Sequence, residues 1–425
     1  MTSNDVIQLQ EHGFYQLIDD AKDNILAERI SRETYDPESP APLLGMDWAN
    51  RSRTAIVANY YIGAQWIEQQ KCAIVVTPKI SNLDFFSMFV TCLENRDPEL
   101  QDKLSKIYTI DFGKPSIPVG ANNFQLTPLL VAHFLILLDR LAQRGLKSNF
   151  IQREENLKAK VKGKVLLGQT MKKGFAIGRP DIVACRYQDY SIDCTENRIL
   201  KKALVFAQQY LTTHRLMAKG VDLKVLAGKT AAYFADVSED VPLQVVQQFR
   251  INPLFRDYAE TIRLAKMLLR RFDYSIDTTY EIEIDHKVPP FWINMPILFE
   301  LYVLGSLRER YGKDIQYHLS THGNELDFAK LSEQFIIDTK YTDGWNTANE
   351  HDYIRQLSGY ARNRQIRKKM GISPDDMSTV MPCMIVYPST SGIRGFKKDK
   401  IFDESIDVVD RYIKFYKLGF QLPTR

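Results

Sequence analysis

The sequence is poor in the features of disulfide-rich and zinc-binding proteins. Its 425 residues include only five cysteines, and no two of them form a Cys-x-x-Cys pair. Zinc sites usually bring cysteines in closely spaced pairs, and disulfide scaffolds are dense in cysteine. The spacing therefore argues against both classes, and a reduced, cytoplasmic setting is the simplest interpretation.

Signal peptides and long apolar runs are also lacking. The first residues, MTSNDVIQLQEHG, do not show the basic and then apolar pattern of a signal peptide. The most apolar run, residues 126–138, is too short to cross a bilayer and contains Pro128 and His133. We therefore expect a cytoplasmic protein that has no membrane partner.

A nucleotide-binding P-loop is absent from the sequence as well. Residues 227–230 (AGKT) resemble the end of that motif, but the motif needs a glycine five residues before Gly228, where Leu223 stands. Without this glycine, a phosphate-binding loop does not form. We predict that this chain does not itself drive a motor with GTP or ATP.

The composition is that of a soluble multidomain protein. A hydrophobic content of 44% and a charged content of 25% are ordinary for globular domains. The length allows two or three domains. The net charge of +4 permits local nucleic-acid contacts but does not by itself argue for them.

Periodicity and composition divide the chain into three predicted parts. We expect a β-rich module in residues 1–120, a mainly helical region in residues 121–287 and a C-terminal domain in residues 288–425, which begins at the break Pro289-Pro290. The predicted strands span residues 54–67, 72–80, 106–112, 281–285 and 380–387, and the predicted helices span residues 19–32, 126–144, 196–214, 255–272 and 295–310, with a loop at 37–42.

Two features of the sequence each allow two interpretations. The aromatic residues Tyr60, Tyr61 and Trp66 belong either to the core or to a contact surface for a partner. The basic run at residues 147–173 is explained by solvated strand faces or by phosphate contacts. His318 and His322 are interpreted as surface residues, because a strand-to-loop setting spoils the helical spacing of a metal pair.

Residues 324–340 hold the most informative polar pattern of the chain. Two short apolar stretches flank a polar break, which predicts a β-hairpin with Asp327 and Asp338 on adjacent strands. Because side chains alternate along a strand, Asp338 and Lys340 share a face and Thr339 points to the other. Two carboxylates and an ammonium group suit a hydrated Mg²⁺ ion, with the Thr339 carbonyl as a further ligand. A surface hairpin with an ordinary Asp–Lys ion pair is the alternative.

Neighbouring elements favour the metal site. A predicted helix at residues 295–310 is apolar nearly all round, and Glu300 within it is costly to bury unless it is paired or near a metal ion. Asp352, Gln356 and Tyr360 fall on one face of a polar helix further on. Pairing of Glu300 with an arginine, and a simple packing role for Gln356, remain alternatives.

The order of helix, hairpin, helix and strand is that of a PD-(D/E)xK nuclease core. The predicted fold class is therefore a multidomain α+β protein with a β-rich N-terminal module, a mainly helical middle region and a C-terminal PD-(D/E)xK nuclease α/β core. The candidate catalytic residues are Asp327, Asp338, Lys340, Glu300 and Gln356, and the candidate metal ligands are Asp327, Asp338, Thr339 and Glu300.

Several stretches together resemble the McrC family, the nuclease subunits of McrBC-type restriction systems. The stretches are residues 61–63 (YIG), 77–80 (TPKI), 145–147 (GLK), 155–157 (ENL), 162–164 (KGK), 196–201 (ENRILK) and 298–303 (LFELYV). The hairpin is similar to the family's "PD … DaKY" pattern, with Leu326 in place of the usual proline, and Gln356 and Tyr360 match its "Q … Y". The proline supplies no ligand, so its replacement puts little in doubt.

The resemblance implies an activity and a partner. McrC-type proteins are Mg²⁺-dependent endonuclease subunits that act with a hexameric AAA+ GTPase, McrB, which binds GTP and normally carries the DNA specificity. The N-terminal part of McrC docks on that hexamer and stimulates GTP hydrolysis, and double-stranded DNA is cut after translocation, often at 5-methylcytosine sites. Two alternatives remain open, namely a catalytically silent adaptor of the AAA+ partner and a stand-alone PD-(D/E)xK repair nuclease.

Overall fold

The structure is a computed structural model that describes most of the chain between residues 5 and 424. Residues 19–20, 34–44, 81, 94–102, 105, 112, 120–125, 219–220, 251–255, 273–286, 322–323, 343, 346–348 and 374 are not described. The predicted loop at 37–42, the predicted strand at 281–285 and His322 therefore lie outside the described residues.

The chain folds into two compact units. The first contains Met1–Gln125 together with Glu283–Arg425, and the second contains Leu126–Ile282. Both units mix helices and strands, which agrees with the predicted α and β content. The two ends of the chain therefore share one unit, and the middle of the chain forms another.

The N-terminal part of the first unit is rich in β-strands, as the sequence predicted. The strands are β1 (Asp5–Gln10), β2 (Phe14–Gln16), β3 (Met46–Trp48), β4 (Ala55–Ala58), β5 (Tyr61–Glu68), β6 (Cys72–Thr77), β7 (Tyr108–Ile110) and β8 (Ile117–Pro118), and the helices are α1 (Ala21–Glu33) and α2 (Phe85–Leu93). Trp66 is 4% exposed and belongs to the core, whereas Tyr60 is 42% exposed.

The main N-terminal sheet recruits a strand from the C-terminal third of the chain. Strand β15 (Phe291–Asn294) lies between β5 and β7 in the order β1-β6-β5-β15-β7, and β14 (Lys287–Val288) pairs with β8. A domain boundary at residue 288 would separate β15 from both of its neighbours. The break at Pro289-Pro290 marks a turn between two strands of this unit.

The second unit is mainly helical, and its predicted helices are confirmed to within one or two residues. The helices are α3 (Leu126–Arg144), α4 (Leu167–Lys173), α5 (Thr195–Thr213), α6 (Leu223–Tyr233), α7 (Leu243–Gln248) and α8 (Arg256–Arg271). The strands are β9 (Asn149–Lys158), β10 (Lys164–Val165), β11 (Ile182–Ser191), β12 (Met217–Ala218) and β13 (Val221–Asp222), and a short 3₁₀ turn spans Phe175–Ile177.

Two stretches of this unit resemble a membrane span and a P-loop, and the helices that contain them explain both. Helix α3 is longer than the apolar run seen in the sequence and could cross a membrane by its length and composition, but 78% of its most apolar window is buried inside the protein. It therefore has the surroundings of a core helix. Residues 227–230 lie within helix α6, so they do not form the strand-to-helix loop of a P-loop.

The C-terminal part of the first unit contains a six-stranded mixed sheet in the order β16-β17-β18-β19-β21-β20. Its elements are α9 (Met295–Tyr311), β16 (Ile315–Thr321), β17 (Asn324–Lys330), β18 (Phe335–Thr339), α10 (Glu350–Arg362), α11 (Arg364–Lys369), β19 (Cys383–Ile393), β20 (Asp407–Val408) and β21 (Phe415–Phe420), with 3₁₀ turns at Gly312–Asp314 and Ile401–Asp403.

The pairing of these strands fixes the position of the hairpin. β16, β17 and β18 pair antiparallel, and β18, β19 and β21 pair parallel. Helix α10 lies in the connection between the parallel strands β18 and β19, as parallel pairing requires a crossover. Leu357 and Ile354 of this helix pack into the same core as Ile336 of β18, so the sheet and α10 hold each other in place.

Candidate active site

The predicted hairpin is present as strands β17 and β18. The ladder between them runs from the pair Lys330↔Phe335 to the pair Phe328↔Ile337. Asp327 and Asp338 are the next residues on each strand, so they lie side by side just beyond the last pair of the ladder. Because Phe335–Ile337 is buried and continuous with the core, the hairpin register is held firmly.

Asp327 is held by the strand opposite it. Its Oδ2 atom accepts hydrogen bonds from the backbone N–H of Thr339 at 2.8 Å and from the Thr339 hydroxyl at 2.6 Å. The expectation that the Thr339 side chain points away from the carboxylates is therefore wrong. The role of its carbonyl oxygen as a metal ligand stays a prediction.

Asp338 and Lys340 lie together, as their spacing predicted. The Lys340 Nζ atom is 2.6 Å from Asp338 Oδ2, and it donates a hydrogen bond to Gln356 Oε1 at 2.8 Å. The Gln356 amide nitrogen in turn donates to the Tyr360 hydroxyl at 3.1 Å, which fixes the orientation of the amide. Asp352, on the same helix, pairs instead with Arg355 at the surface.

Glu300 reaches the hairpin from helix α9. This helix begins directly after β15, and the Asn294 side chain caps it by accepting a hydrogen bond from the Ile297 N–H. Glu300 Oε1 accepts a hydrogen bond from the Tyr317 hydroxyl at 2.8 Å and lies 2.8 Å from His318 Nε2. Lys103, whose Nζ is 3.4 Å away, is thus the cation paired with Glu300, in place of the arginine considered from the sequence.

Burial raises the pKa of all three carboxyl groups. For Glu300 and Asp338, burial is the largest cause and the negative charge of Asp327 adds to it. Burial also raises the pKa of Asp327, against the hydrogen bonds from Thr339. Burial acts to lower the pKa of Lys340, but the charge of Asp338 outweighs it, so the net shift is upward and the ammonium stays protonated.

These carboxylates have the chemistry of a site for a hard divalent cation. Asp338 is 2% exposed, and among the described residues its Oδ2 atom accepts no hydrogen bond of good geometry although Lys340 is near. Burying a carboxylate with free lone pairs beside other carboxylates costs folding free energy, and a bound cation lowers that cost. The ligand atoms of Glu300, His318 and Asp327 all lie within 4.8 Å of one another. The carboxylate oxygens of this site therefore fit Mg²⁺, which prefers oxygen ligands.

Sequence reasoning missed three residues that contact Glu300. His318 was interpreted as a surface residue, but its side chain is 14% exposed and faces Glu300. Tyr317 and Lys103 had no motif around them, and Lys103 lies nearly two hundred residues before Glu300 in the sequence. The positive φ of His318, 52°, places two consecutive side chains against Glu300 and gives no signal in the sequence.

Comparison with known proteins identifies the family. A family model for McrBC 5-methylcytosine restriction system components matches residues 56–360, which is more than half of the chain. The chain belongs to the McrBC family. The matched region includes Glu300, the hairpin residues Asp327, Asp338 and Lys340, and ends within helix α10 at Tyr360.

Two solved structures of Thermococcus gammatolerans proteins are similar to this chain. One is a refined half-complex from a tetradecameric assembly of McrB AAA+ hexamers with bound McrC, with 14% identity over 98% of this chain and 94% of that chain and a TM-score of 0.39. The other is a cryo-EM structure of the McrBC complex, with 14% identity over 83% of this chain and 99% of that chain and a TM-score of 0.33. No curated protein sequence matches the chain. The assignment to the family rests on the family model alone.

Proposed function

We propose that this chain is the Mg²⁺-dependent DNA endonuclease subunit of a McrBC-type restriction system, acting in the cytoplasm with a hexameric McrB-like AAA+ GTPase. The observation that carries the proposal is the cluster formed by Asp327, Asp338, Lys340 and Glu300 in a chain of the McrBC family. The helix α9, the hairpin β17–β18, helix α10 and strand β19 follow the order of a PD-(D/E)xK core and support it.

Oxygen atoms of the hairpin would form the metal site. Asp327 and Asp338 would hold Mg²⁺ directly, with the Thr339 carbonyl as a further ligand and Glu300 near enough to act through water. When bound, the ion supplies positive charge for the phosphate under attack and lowers the pKa of a water molecule. The Asp327 carboxylate is already oriented as a ligand because Thr339 donates two hydrogen bonds to its Oδ2 atom.

Lys340 is the residue best placed to act on the phosphate. Its ammonium is protonated and lies 2.6 Å from Asp338, so it brings a positive charge next to the metal ligands. It would orient the attacking water or stabilise the negative charge that develops on the phosphate. Gln356 holds the ammonium by accepting one of its hydrogen bonds, and Tyr360 keeps the Gln356 amide in the required orientation.

Two surfaces are candidates for the contact with the GTPase partner. The first is the N-terminal region around residues 54–80, which the family resemblance indicates, although strands β5 and β6 are mostly buried. The second is the small sheet β10-β11-β9 with its adjoining helix α4 and 3₁₀ turn, because large apolar side chains are exposed there. Exposed apolar patches often mark protein contacts. The side chains are Phe150, Leu167, Met171, Phe175, Ile177 and Tyr190.

The alternatives predict different results in one reconstitution. The full chain, its partner GTPase and double-stranded DNA containing 5-methylcytosine are combined with GTP and Mg²⁺, and GTP hydrolysis and DNA cleavage are both measured. We expect faster GTP hydrolysis and cleavage that needs the partner, GTP and Mg²⁺. A catalytically silent adaptor would stimulate GTP hydrolysis without cleavage. A stand-alone repair nuclease would cut DNA without the partner or GTP.

A further inference from the structure

We propose that His318 supplies a nitrogen ligand to the divalent metal ion of this site, between Glu300 and Asp327, and thereby favours Mn²⁺ over Mg²⁺. The inference rests on the proposed nuclease function and adds to it a ligand on strand β16. Carboxylate and water ligands suit both Mg²⁺ and Mn²⁺, but a transition-metal ion such as Mn²⁺ accepts an imidazole nitrogen more readily than Mg²⁺, which selects oxygen ligands and water.

If Glu300 binds the ion directly, and not through water as in the proposed nuclease site, the distances between the ligand atoms suit a single ion. The imidazole nitrogen and the two carboxylate oxygens lie within 4.8 Å of one another. An ion with bonds of about 2.1 Å touches atoms up to about 4.2 Å apart, on opposite sides of it. Movements of a few tenths of an ångström by each side chain would therefore close the site.

The strand pairing places His318 on the face of Asp327. The pairs Tyr317↔Phe328 and Leu319↔Leu326 flank His318 on β16 and Asp327 on β17, so the two residues lie opposite each other. In a regular strand, consecutive residues point to opposite faces. The left-handed backbone of His318, with φ of 52°, lets both its ring and that of its neighbour reach Glu300.

The other imidazole nitrogen is already held by a carboxylate. Nδ1 of His318 contacts the Glu325 carboxylate, and Nε2 points to Glu300 Oε1 at 2.8 Å. Metal-binding histidines commonly donate their second N–H to a carboxylate, which fixes the tautomer and directs the free nitrogen at the metal. His318 has this arrangement, with Nε2 on the inner side of the site.

Two further observations indicate that a cation belongs here. Asp338, beside Asp327 at the end of the hairpin, is 2% exposed, and among the residues that the structure describes its Oδ2 atom lacks a hydrogen bond of good geometry although Lys340 Nζ lies 2.6 Å away. The Lys103 Nζ atom lies 2.5 Å from His318 Nε2 and 3.4 Å from Glu300 Oε1. A positively charged group thus already contacts both of these ligand atoms. A metal ion would displace the Lys103 ammonium, whose side chain is 26% exposed.

The alternative is an imidazolium of His318 that only bridges Glu300 and Glu325. Metal binding to the full chain distinguishes the two without any measurement of cleavage. Mn²⁺ is titrated into the full chain, the free ion is followed by electron paramagnetic resonance, and pulsed measurements detect magnetic coupling from a directly bound ¹⁴N nucleus. The same titration with Mg²⁺ as a competitor gives the relative affinity for the two ions.

We expect one bound Mn²⁺ with ¹⁴N coupling in the wild type. His318→Asn should lose the coupling and bind Mn²⁺ at least about 10-fold more weakly, because even the loss of an outer-shell partner of a metal ligand costs about 10- to 100-fold in affinity, while Mg²⁺ affinity changes much less. Asparagine tolerates the left-handed backbone at this position. The matched control is His351→Asn on helix α10, where the histidine is exposed, and it should keep both the coupling and the affinity.

The possible results separate this inference from the proposed function. Mn²⁺ that binds in an Asp327-dependent manner without ¹⁴N coupling in the wild type would overturn the role of His318 and leave the nuclease site intact. No binding, or binding unchanged by Asp327→Asn, would overturn the nuclease site as well. If His318→Asn fails to fold, the wild-type coupling, and its persistence in the His351→Asn control, still decide the question.

Discussion

Replacing Asp327 with asparagine should stabilise the metal-free protein while it abolishes DNA cleavage. Asp327 Oδ2 accepts two hydrogen bonds from Thr339, and an amide oxygen can accept both, so Asp327→Asn keeps them. What the variant loses is a negative charge whose oxygen lies within 4.8 Å of the ligand oxygen of Glu300. The same charge raises the pKa of Asp338.

The size of the effect follows from this separation. At the upper limit of 4.8 Å, two unit charges repel each other by about 3.5 kcal/mol at an effective dielectric constant of about 20, and by more at shorter distances. Burial raises the pKa of Glu300 to about 7, so protonation of Glu300 already removes part of this repulsion near neutral pH, and the charges of Lys340 and Lys103 near Asp327 offset another part. We therefore expect Asp327→Asn to be about 1–3 kcal/mol more stable than the wild type when metal is removed.

The assay is urea unfolding of the full chain in EDTA and in excess Mg²⁺. The wild type should gain stability with Mg²⁺ and Asp327→Asn should not, because a ligand stabilises only the folded state that binds it. Lower stability of Asp327→Asn in EDTA, or an equal gain with Mg²⁺, would refute the reasoning.

The matched control is Asp314→Asn in the same sheet region. Asp314 accepts hydrogen bonds from the Ser332 N–H at 2.9 Å and the Ser332 hydroxyl at 2.5 Å, and it lies 3.4 Å from Lys330. Although burial acts to raise the pKa of Asp314, these contacts hold it below its usual value. Asp314→Asn should therefore destabilise the protein, the opposite sign to Asp327→Asn.

Three further substitutions test other contacts. Lys340→Ala should lower the cleavage rate about 10²- to 10³-fold with little change in Mg²⁺ affinity, and a raised Mg²⁺ requirement as the main effect would contradict its role on the phosphate. Tyr341→Phe should cost about 1–3 kcal/mol in urea unfolding, because the buried Glu11 Oε2 loses its 2.9 Å hydrogen bond, and an unchanged midpoint would contradict this. Burial raises the pKa of Glu11 in the folded chain above its ordinary 4.5. The folded state then binds more protons than the unfolded state, so stability falls as pH rises from 4.5 to the raised pKa. Glu11→Gln should remove this fall, and parallel stability–pH curves would contradict it.

The hairpin and its carboxylates were predictable because the signals are local. Two apolar stretches around a polar break specify adjacent strands, and the alternation of side chains along β18 brings Asp338 beside Lys340. Helix α10 was predictable in the same way, since the spacing of Gln356 and Tyr360 places both on one helical face.

The remainder depends on contacts between distant parts of the chain. Phe291–Asn294 pairs with strands more than one hundred and eighty residues earlier. Its composition gives no indication of which strands these are. His318 reaches Glu300 because its backbone is left-handed, a conformation that histidine adopts only rarely. Local periodicity carries neither kind of information. The sequence therefore predicted a domain boundary at residue 288, which separates strands of one sheet, and a surface position for His318.

The central claim is that the hairpin carboxylates perform DNA cleavage, and Asp338→Ala tests it most directly. The purified full-length variant is combined with the partner GTPase, GTP, Mg²⁺ and DNA, and cleavage is measured at a concentration that stimulates GTP hydrolysis as strongly as the wild type does. The account predicts undiminished stimulation of GTP hydrolysis and no detectable cleavage, because the proposed metal site loses a ligand and Lys340 loses its partner 2.6 Å away. Cleavage by Asp338→Ala at the wild-type rate would contradict it.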